Sequence, residues 1–203
     1  GDHASVRASN LTIEAANNVF NRFRNSSGAI VGYESAEWNV NSGSGGLLNL
    51  PAGKANVNIV QNTEANVGNN ADIRLLALGA GVSDLRIEAF NDVITEQKAK
   101  LDSGGAIATA KSVVELAAIQ NATVNIGSNS TLLVDLGNIN VGAWNNARME
   151  GRASATTYGI AGAPDGHSWA NLGVANIVNI GTDTRIEASN GYAPADGSLP
   201  RQA

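Results

Sequence analysis

Few residues of this sequence could carry out catalysis, and they are dispersed. The chain has no cysteine, and neither of its two histidines, His3 and His167, has a second histidine at the spacing of a metal motif. His167 lies in residues 163–167, a Pro- and Gly-containing segment that we predict to be a surface turn. Residues 42–46 are rich in Ser and Gly but lack the Lys of a phosphate-binding loop, and no Gly-x-Ser-x-Gly motif occurs. We therefore predict no catalytic residue, no metal site and no cofactor, in a protein that is not an enzyme.

Repeated charged pairs provide the main enzymatic alternative. Polysaccharide lyases and hydrolases built on a β-helix place acidic and basic side chains in a row on one face. Arg86 and Glu88 could belong to such a row, and Arg185 and Glu187 repeat the pair later in the chain. Ordinary ion pairs on a solvated strand explain the same residues, and each such pair contributes little to stability. We rank this enzyme below a structural protein.

The three tryptophans are the candidates for a contact patch. Trp38 and Trp169 are predicted in loops, and Trp144 takes the place of Phe90 at an outward or corner position of a repeat. Aromatic platforms are typical of carbohydrate-binding surfaces, so a glycan or cell-surface receptor is a candidate partner. The alternative is that each ring covers the base of a loop or the junction between two repeats.

The composition favours many short strands. Apolar residues make up 43% of the chain but aromatic residues only 4%, and there are 23 Gly and 26 Asn, which tolerate left-handed turns. The net charge of −5 and the scattered basic residues argue against nucleic acid or an anionic membrane as partner. No stretch of 18 apolar residues occurs, so we predict no membrane insertion.

An internal repeat is the main signal in the sequence. Residues 85–92 resemble residues 139–146 at an offset of 54, and the same offset aligns residues 124–127 with 178–181. An earlier copy aligns at an offset of 59, and its beginning, residues 11–18, aligns at an offset of 74. The chain is thus predicted to be one segment, 1–203, with repeats at about 9–84, 85–138 and 139–191.

The differences between these offsets locate the insertions. A five-residue excess in residues 76–84 accounts for the change from 59 to 54. The change from 74 to 59 requires extra residues between Phe23 and Ser44, where we predict an irregular loop insertion near 25–43. Stacked repeats tolerate insertions in their loops.

Within each copy the apolar residues alternate with polar ones, as in Leu11, Ile13 and Ala15. We predict an all-β fold, a single parallel β-helix (β-solenoid). A 54-residue repeat divides into about three coils of 18 residues, or two wider coils of 27. The first division gives about ten rungs and a rod on the order of 50 Å long. A helix in residues 94–114 is the alternative there, although the Gly pair at Gly104 and Gly105 interrupts it.

Stacking of the repeats would place equivalent residues in ladders along the axis. Asn and Gly are expected at the corners, because both tolerate the left-handed conformation. The predicted ladders are Asn66, Asn125 and Asn179; Gly68, Gly127 and Gly181; and Asn17, Asn91 and Asn145.

The pattern N-[VI]-G-x-[ND]-x-x-[IL] recurs at residues 66–73, 125–132 and 179–186. With the Gly-Gly-Ala-Ile and Ala-x-Asn-Asn blocks, it resembles the repeat regions of filamentous haemagglutinin-like exoproteins, which are secreted bacterial adhesins. The resemblance covers roughly residues 9–191. It implies a right-handed parallel β-helix, extracellular or cell-surface display, and a role as stalk or contact surface without catalytic residues.

We therefore predict a structural or adhesive repeat segment of a large secreted or cell-surface protein, an extended rod for attachment or display. Gly1 begins abruptly and no signal peptide is evident, so we expect a piece of something longer. The alternative is a solenoid subunit that stacks end to end into an extracellular filament or sheath. The expected partners are neighbouring solenoid segments or identical subunits, and a glycan or receptor.

Overall fold

The computed structural model describes residues 1–25, 27–33, 36–77 and 82–189. Every element of regular secondary structure in these ranges is a β-strand. The all-β prediction is confirmed. The alternating sequence pattern explains the strands, because alternate side chains point to opposite faces. The strands are β1 Ser5–Ala8, β2 Leu11–Asn21, β3 Val40–Gly45, β4 Leu48–Asn49, β5 Ala52–Val67, β6 Asp72–Leu75, β7 Ser83–Gly104, β8 Ile107–Ile126, β9 Thr131–Asp135, β10 Gly137–Tyr158, β11 Ala161–Ile180 and β12 Arg185–Ser189.

The strands form three parallel sheets. Sheet I has the order β1-β6-β9-β12; sheet II has the order β10-β7-β2, with β3 also on β7; sheet III has the order β11-β8-β4, with β5 also on β8. The described part of the chain therefore passes through sheets I, II and III in the same order three times and then enters sheet I again with β12. None of the three sheets closes on itself.

The register of the sheets reproduces the sequence offsets. Leu85 pairs with Ile139 at an offset of 54, Asn66 pairs with Asn125 at an offset of 59, and Leu11 pairs with Leu85 at an offset of 74. A strand thus pairs with its counterpart one full repeat away. One passage through the three sheets takes a whole repeat, which is 54 residues long in the last copy and longer in the earlier ones.

The predictions of 18- or 27-residue coils and about ten rungs are therefore wrong. Sheet I contains four strands. At the usual spacing of about 4.8 Å between neighbouring strands, its outermost strands are about 14 Å apart, and the predicted rod of about 50 Å is too long. The error has a physical reason. Asn-Asp and Asn-Asn pairs such as residues 91–92 and 145–146 were expected at corners, but they lie inside the long strands β7 and β10.

Two apolar clusters form the core. The larger one lies among the three sheets, with Leu85, Ile87, Val124 and Leu132 among its fully buried members. The smaller one, around Ala99, lies between the C-terminal half of β7 and the N-terminal half of β8. Burial of each large aliphatic side chain contributes about 1.5–3 kcal/mol, so both clusters hold sheets II and III together.

The segment at 94–114, where a helix was the alternative, belongs to strands β7 and β8 and to the bend between them. A Cβ on Gly105 would overlap the carbonyl oxygen of Gly46 in the bend of the preceding pass. Gly105 therefore allows the bends to stack closely. Within the described residues, no helix has the length and apolarity of a membrane span.

Residues 22–39 join β2 to β3, and their described residues contain no strand beyond an isolated antiparallel bridge between Arg24 and Ile30. The predicted insertion near 25–43 is confirmed, except that β3 begins inside its limits at Val40. Residues 78–81, in the predicted five-residue excess, and residues 190–191, at the end of the third predicted repeat, lie outside the described residues. The division of 1–203 into one segment of three repeats stays a prediction.

Candidate functional site

Four equivalent turns stack at the entry to sheet I. Each begins with a Gly and has its third residue in the left-handed region, where His3, Asn70, Asn129 and Asp183 have φ values of 57°, 54°, 55° and 57°. These are residue types that tolerate this conformation better than most. The turns are Gly1–Ala4, Gly68–Ala71, Gly127–Ser130 and Gly181–Thr184.

The turn glycines are required by the stacking and not by their own backbone angles. A Cβ on Gly127 would lie 2.5 Å from the amide nitrogen of Asn69, and one on Gly181 would lie 2.5 Å from that of Ser128. The predicted ladder of Gly68, Gly127 and Gly181 is therefore at true corners. Backbone hydrogen bonds join the turns, as from Asn129 N to the carbonyl of Thr182 at 2.9 Å.

The structure also brings Asn66, Asn125 and Asn179 together. Asn125 Nδ2 donates to Asn66 Oδ1 at 2.7 Å, and Asn179 Nδ2 donates to Asn125 Oδ1 at 2.8 Å. Their place differs from the prediction, because each stands one residue before the end of a strand of sheet III and not at a corner. The ladder lies on the outer face of the sheet.

The third predicted ladder, Asn17, Asn91 and Asn145, lies inside the protein and not at corners. Asn91 is fully buried, and its Nδ2 donates to Asn145 Oδ1 at 2.6 Å and to the carbonyl of Asn121 in sheet III at 3.0 Å. Asn17 contributes its carbonyl, which accepts from Gln61 Nε2 at 2.7 Å. These residues cross-link sheets II and III between the two apolar clusters.

The three tryptophans do not form one patch. Trp144, on the outer face of sheet II, stacks on Phe90 with 5.6 Å between ring centroids. Trp38 lies in the loop at 22–39, with Lys98 Nζ 5.9 Å and Arg152 Cζ 5.7 Å from its ring. Trp169 lies in β11, so its predicted loop position is wrong, and it is 43% exposed. The rings of Trp144 and Trp38 thus pack against other side chains of the protein, and the ring of Trp169 is the most exposed of the three.

The loop at 22–39 is held on sheet II by a buried cation that sequence analysis missed. Lys98 is 2% exposed, and its Nζ lies 4.6 Å from the Tyr33 ring and 5.8 Å from the Phe23 ring. Beside it, buried Glu96 accepts from Arg22 Nε at 3.3 Å and from Phe23 N at 3.2 Å. The available signal was the concentration of aromatic and basic residues in the insertion.

Charged residues lie on the same outer face of sheet III as Trp169. Asp165 and His167 stand four and two residues before it on the same strand, with His167 Nε2 2.5 Å from Asp165 Oδ1, and Lys111 Nζ lies 3.9 Å from the Asp165 carboxylate. The predicted surface turn at 163–167 is wrong, because this segment belongs to the edge strand β11. An edge strand tolerates Pro164, which lacks a backbone donor.

The strand beside Trp169 adds a second ion pair. Glu115, the register partner of Trp169, pairs with Lys54. A shallow pocket of about 210 Å³ lies between Lys54 and Lys111. We call Lys54, Lys111, Glu115, Asp165, His167 and Trp169 the Trp169 surface. It combines an aromatic ring with hydrogen-bond donors and acceptors.

The charged pairs of the enzymatic alternative do not form one row. Arg86 pairs with Glu88 on sheet II, whereas Arg185 pairs with Glu187 at 2.5 Å on sheet I. The Glu187 hydrogen bond raises the pKa of Arg185. In the part of the chain that the structure describes, no three His, Cys, Asp or Glu side chains converge as metal ligands would.

Comparisons with known proteins found no matching family model, no similar curated protein and no similar solved structure. The resemblance to filamentous haemagglutinin-like exoproteins stays a prediction from the repeat motifs.

Proposed function

We propose that this chain is a structural and adhesive repeat segment of a large secreted or cell-surface protein, built as a single β-solenoid in which one coil is one whole repeat, 54 residues long in the last copy. The register of the strands is the observation that supports this proposal. Each strand pairs in parallel with its counterpart one repeat away, so successive passages through the three sheets lie on top of one another. In such a protein each coil contacts mainly its neighbours, and length is added by adding repeats.

The proposed solenoid differs from an ordinary compact domain in how it would respond to duplication of a repeat. Residues 83–136 contain one strand of each sheet, β7, β8 and β9. A second copy inserted after residue 136 should fold as one more coil. We expect the rod to lengthen by about 4.8 Å while its cross-section stays the same.

Small-angle X-ray scattering measures both quantities, and circular dichroism shows whether the added residues become strand. Added residues that remain unstructured, or a particle that grows equally in all directions, would contradict the solenoid. A duplication of 48 residues, which omits six residues of the repeat, is the matched control, because it displaces the register of every following strand.

The proposed adhesive role belongs to the Trp169 surface, and its proposed partner is a glycan. An aromatic ring offers a flat apolar face to a sugar ring, and the surrounding side chains offer hydrogen bonds to hydroxyl groups. Lys111 and the Asp165–His167 pair stand on the same face as the ring. This outer face does not take part in the core, so it is available for contacts along the rod.

Binding of the chain to immobilised neutral and acidic polysaccharides tests this role. We expect Trp169→Ala to weaken retention up to about tenfold, the loss that about 1.4 kcal/mol of ring contact produces. Trp144→Ala is the control, since that ring stacks on Phe90 on a different sheet. Equal retention by both variants would contradict the adhesive role, and release of cleaved sugar products would favour the β-helix lyase or hydrolase instead.

A further inference from the structure

The bends that join sheet II to sheet III expose large apolar side chains in all three passes of the chain. Leu47 is 81% exposed in the first bend and Ile160 is 94% exposed in the third, and Ile107, which directly follows the second bend, is 55% exposed. Monomeric proteins rarely leave several such side chains exposed side by side. We call the six side chains here that are more than half exposed the apolar corner: Leu47, Leu48, Leu50, Ile107, Tyr158 and Ile160.

The register of the strands places these side chains in one patch. Ile107 pairs with Leu48 on one side and with Ala161 on the other. The bends themselves are in contact, because Ile107 N donates to the carbonyl of Leu47 at 3.1 Å and Ala161 N donates to that of Ala106 at 3.0 Å. The apolar corner is therefore continuous through the three stacked passes.

The exposure of the apolar corner does not depend on the outer strands of the sheet. Ile107 lies in the middle strand of sheet III, with a paired strand on each side, and it is still 55% exposed. Leu48, its partner in an outer strand, is 64% exposed, so the missing neighbour adds little. These side chains are exposed because they point sideways from the stack, and a further layer above or below would leave them uncovered.

The apolar corner also lacks charge in every pass. No charged residue occurs in 38–53, 103–110 or 153–164, which contain the three bends. The nearest charged side chains on either side are paired with one another, Lys100 with Asp102 at 3.0 Å and Lys111 with Asp165 at 3.9 Å. This arrangement resembles the apolar centre and polar rim of a protein interface. It lacks the excess of Lys and Arg that draws an apolar surface to an anionic membrane.

We propose that the apolar corner binds the apolar corner of a second copy of this chain, side by side. Six side chains that each expose roughly 100 Å² offer on the order of 600 Å² in each copy. A pair would bury about 1,200 Å² in total, which reaches the lower limit for a specific interface. The inference goes beyond the proposed function and requires only the observed stacking of the three passes.

The position of Ile107 gives this pair a defined centre. A two-fold pair uses the same surface of both copies. Ile107 lies in the middle pass, between the leucines of the first pass and the pair Tyr158 and Ile160 of the third. It therefore faces Ile107 of the second copy whether the two copies run parallel or antiparallel.

Two isoleucines of β8 provide a matched pair of variants. Ile107 and Ile119 lie on the same outer face of the same middle strand and are 55% and 48% exposed, but twelve residues, or roughly 40 Å, separate them. Ile107→Lys would bring two ammonium groups together at the centre of the pair. We expect it to weaken association about a hundredfold or more. Ile119→Lys should associate like the wild type.

Sedimentation velocity from about 1 µM to about 1 mM measures association of the wild type and both variants, because an interface of this size belongs with the transient ones. Circular dichroism checks folding. Ile160→Lys, at a side chain that is 94% exposed, replaces Ile107→Lys if the latter misfolds. Dimers of the wild type and Ile119→Lys, with monomeric Ile107→Lys, support the proposal.

A wild type that stays monomeric over this range would overturn the pairing, as would an open-ended series of larger species. Equal association of Ile107→Lys and Ile119→Lys, or its loss in both, would show that the apolar corner is not the contact. Flotation with phosphatidylcholine vesicles tests the membrane alternative. A wild type that binds these vesicles but does not dimerise without them would assign the apolar corner to lipid and overturn the proposal.

Discussion

Gln120 Nε2 donates a hydrogen bond of 2.8 Å to Gln61 Oε1, and both side chains are buried between sheets II and III. Gln61 in turn donates to the carbonyl of Asn17, so a row of amides runs through the interior beside Asn91. A shift of one residue in any of these strands would move its amide to the outer face and leave a buried partner unpaired. We infer that this row fixes which residues of successive coils pair, while the aliphatic columns supply most of the stability.

Asn91→Ala should destabilise the protein by about 1–3 kcal/mol, because it empties a fully buried position and leaves the partly buried Asn145 Oδ1 and the carbonyl of Asn121 without this donor. Asn125→Ala is the matched control. It removes the central member of the ladder on the outer face, where water can replace the lost bonds, and should cost less than about 1 kcal/mol. Urea denaturation of both variants measures the difference. Equal losses would show that the buried ladder has no special role in stability.

Gly127→Ala should destabilise the protein by about 1–3 kcal/mol, since the new methyl group would lie 2.5 Å from the backbone of the turn at Gly68 and Asn69. Gly173→Ala, in β11, is the control, because its methyl group would meet only Ile119 Cγ1 at 3.8 Å. Thermal unfolding should show a lower midpoint for Gly127→Ala alone. An unchanged midpoint would mean that the stacked turns can separate without cost.

The stabilising contribution of the Asp72 carboxylate should be lost in acid. Burial opposes its ionisation, but hydrogen bonds from Arg7 and Arg74 outweigh burial and lower the pKa of its carboxyl. Its contribution to stability is therefore complete above the unfolded-state pKa of about 3.9 and is lost as the pH falls through the lower folded-state value. The difference in urea midpoint between wild type and Asp72→Asn should shrink as the pH falls below about 4. A difference that is constant with pH would contradict this assignment, and Arg74→Gln should reduce the same pH dependence.

The repeat, the strands and the loop insertion could be predicted because each leaves a local trace in the sequence. Alternation such as Leu85, Ile87 and Ala89 reports a strand with one buried face, and a constant offset reports which strands are equivalent. The length of a coil leaves no such trace. Asn91 and Asp92 have the composition of a corner, but long-range bonds join Asn91 to Asn121, Asn145 and Thr63, and these bonds hold it within a strand.

The contact surfaces were harder to predict for the same reason. Trp169 gains its charged neighbours from different passages of the chain, since Lys54 and Glu115 come from β5 and β8. The packing of Trp38 depends likewise on Lys98, which is 60 residues away in sequence. Side chains brought together in this way share no motif, so sequence could name the tryptophans without saying which of them is available to a partner.

Lys98 should determine how firmly the loop at 22–39 is held on sheet II. Its buried ammonium group lies near three aromatic rings of the loop and donates to the carbonyl of Ala36 at 3.3 Å. Cation–π contacts at such a desolvated site contribute about 2 kcal/mol or less, and truncation to Ala also leaves the rings around an empty space. Lys98→Ala should therefore increase transient opening of the loop while the sheets remain folded.

Limited trypsin digestion measures this opening, because cleavage after Arg22 or Arg24 requires the loop to leave the surface. We expect cleavage of Lys98→Ala to be about tenfold faster than that of the wild type, with an unchanged circular dichroism spectrum. Lys100→Ala is the matched control, as Lys100 lies on the same face of β7 but pairs with Asp102 at 3.0 Å, away from the loop. Cleavage at the same rate in both variants would show that Glu96 and its bonds to Arg22 and Phe23 hold the loop without Lys98.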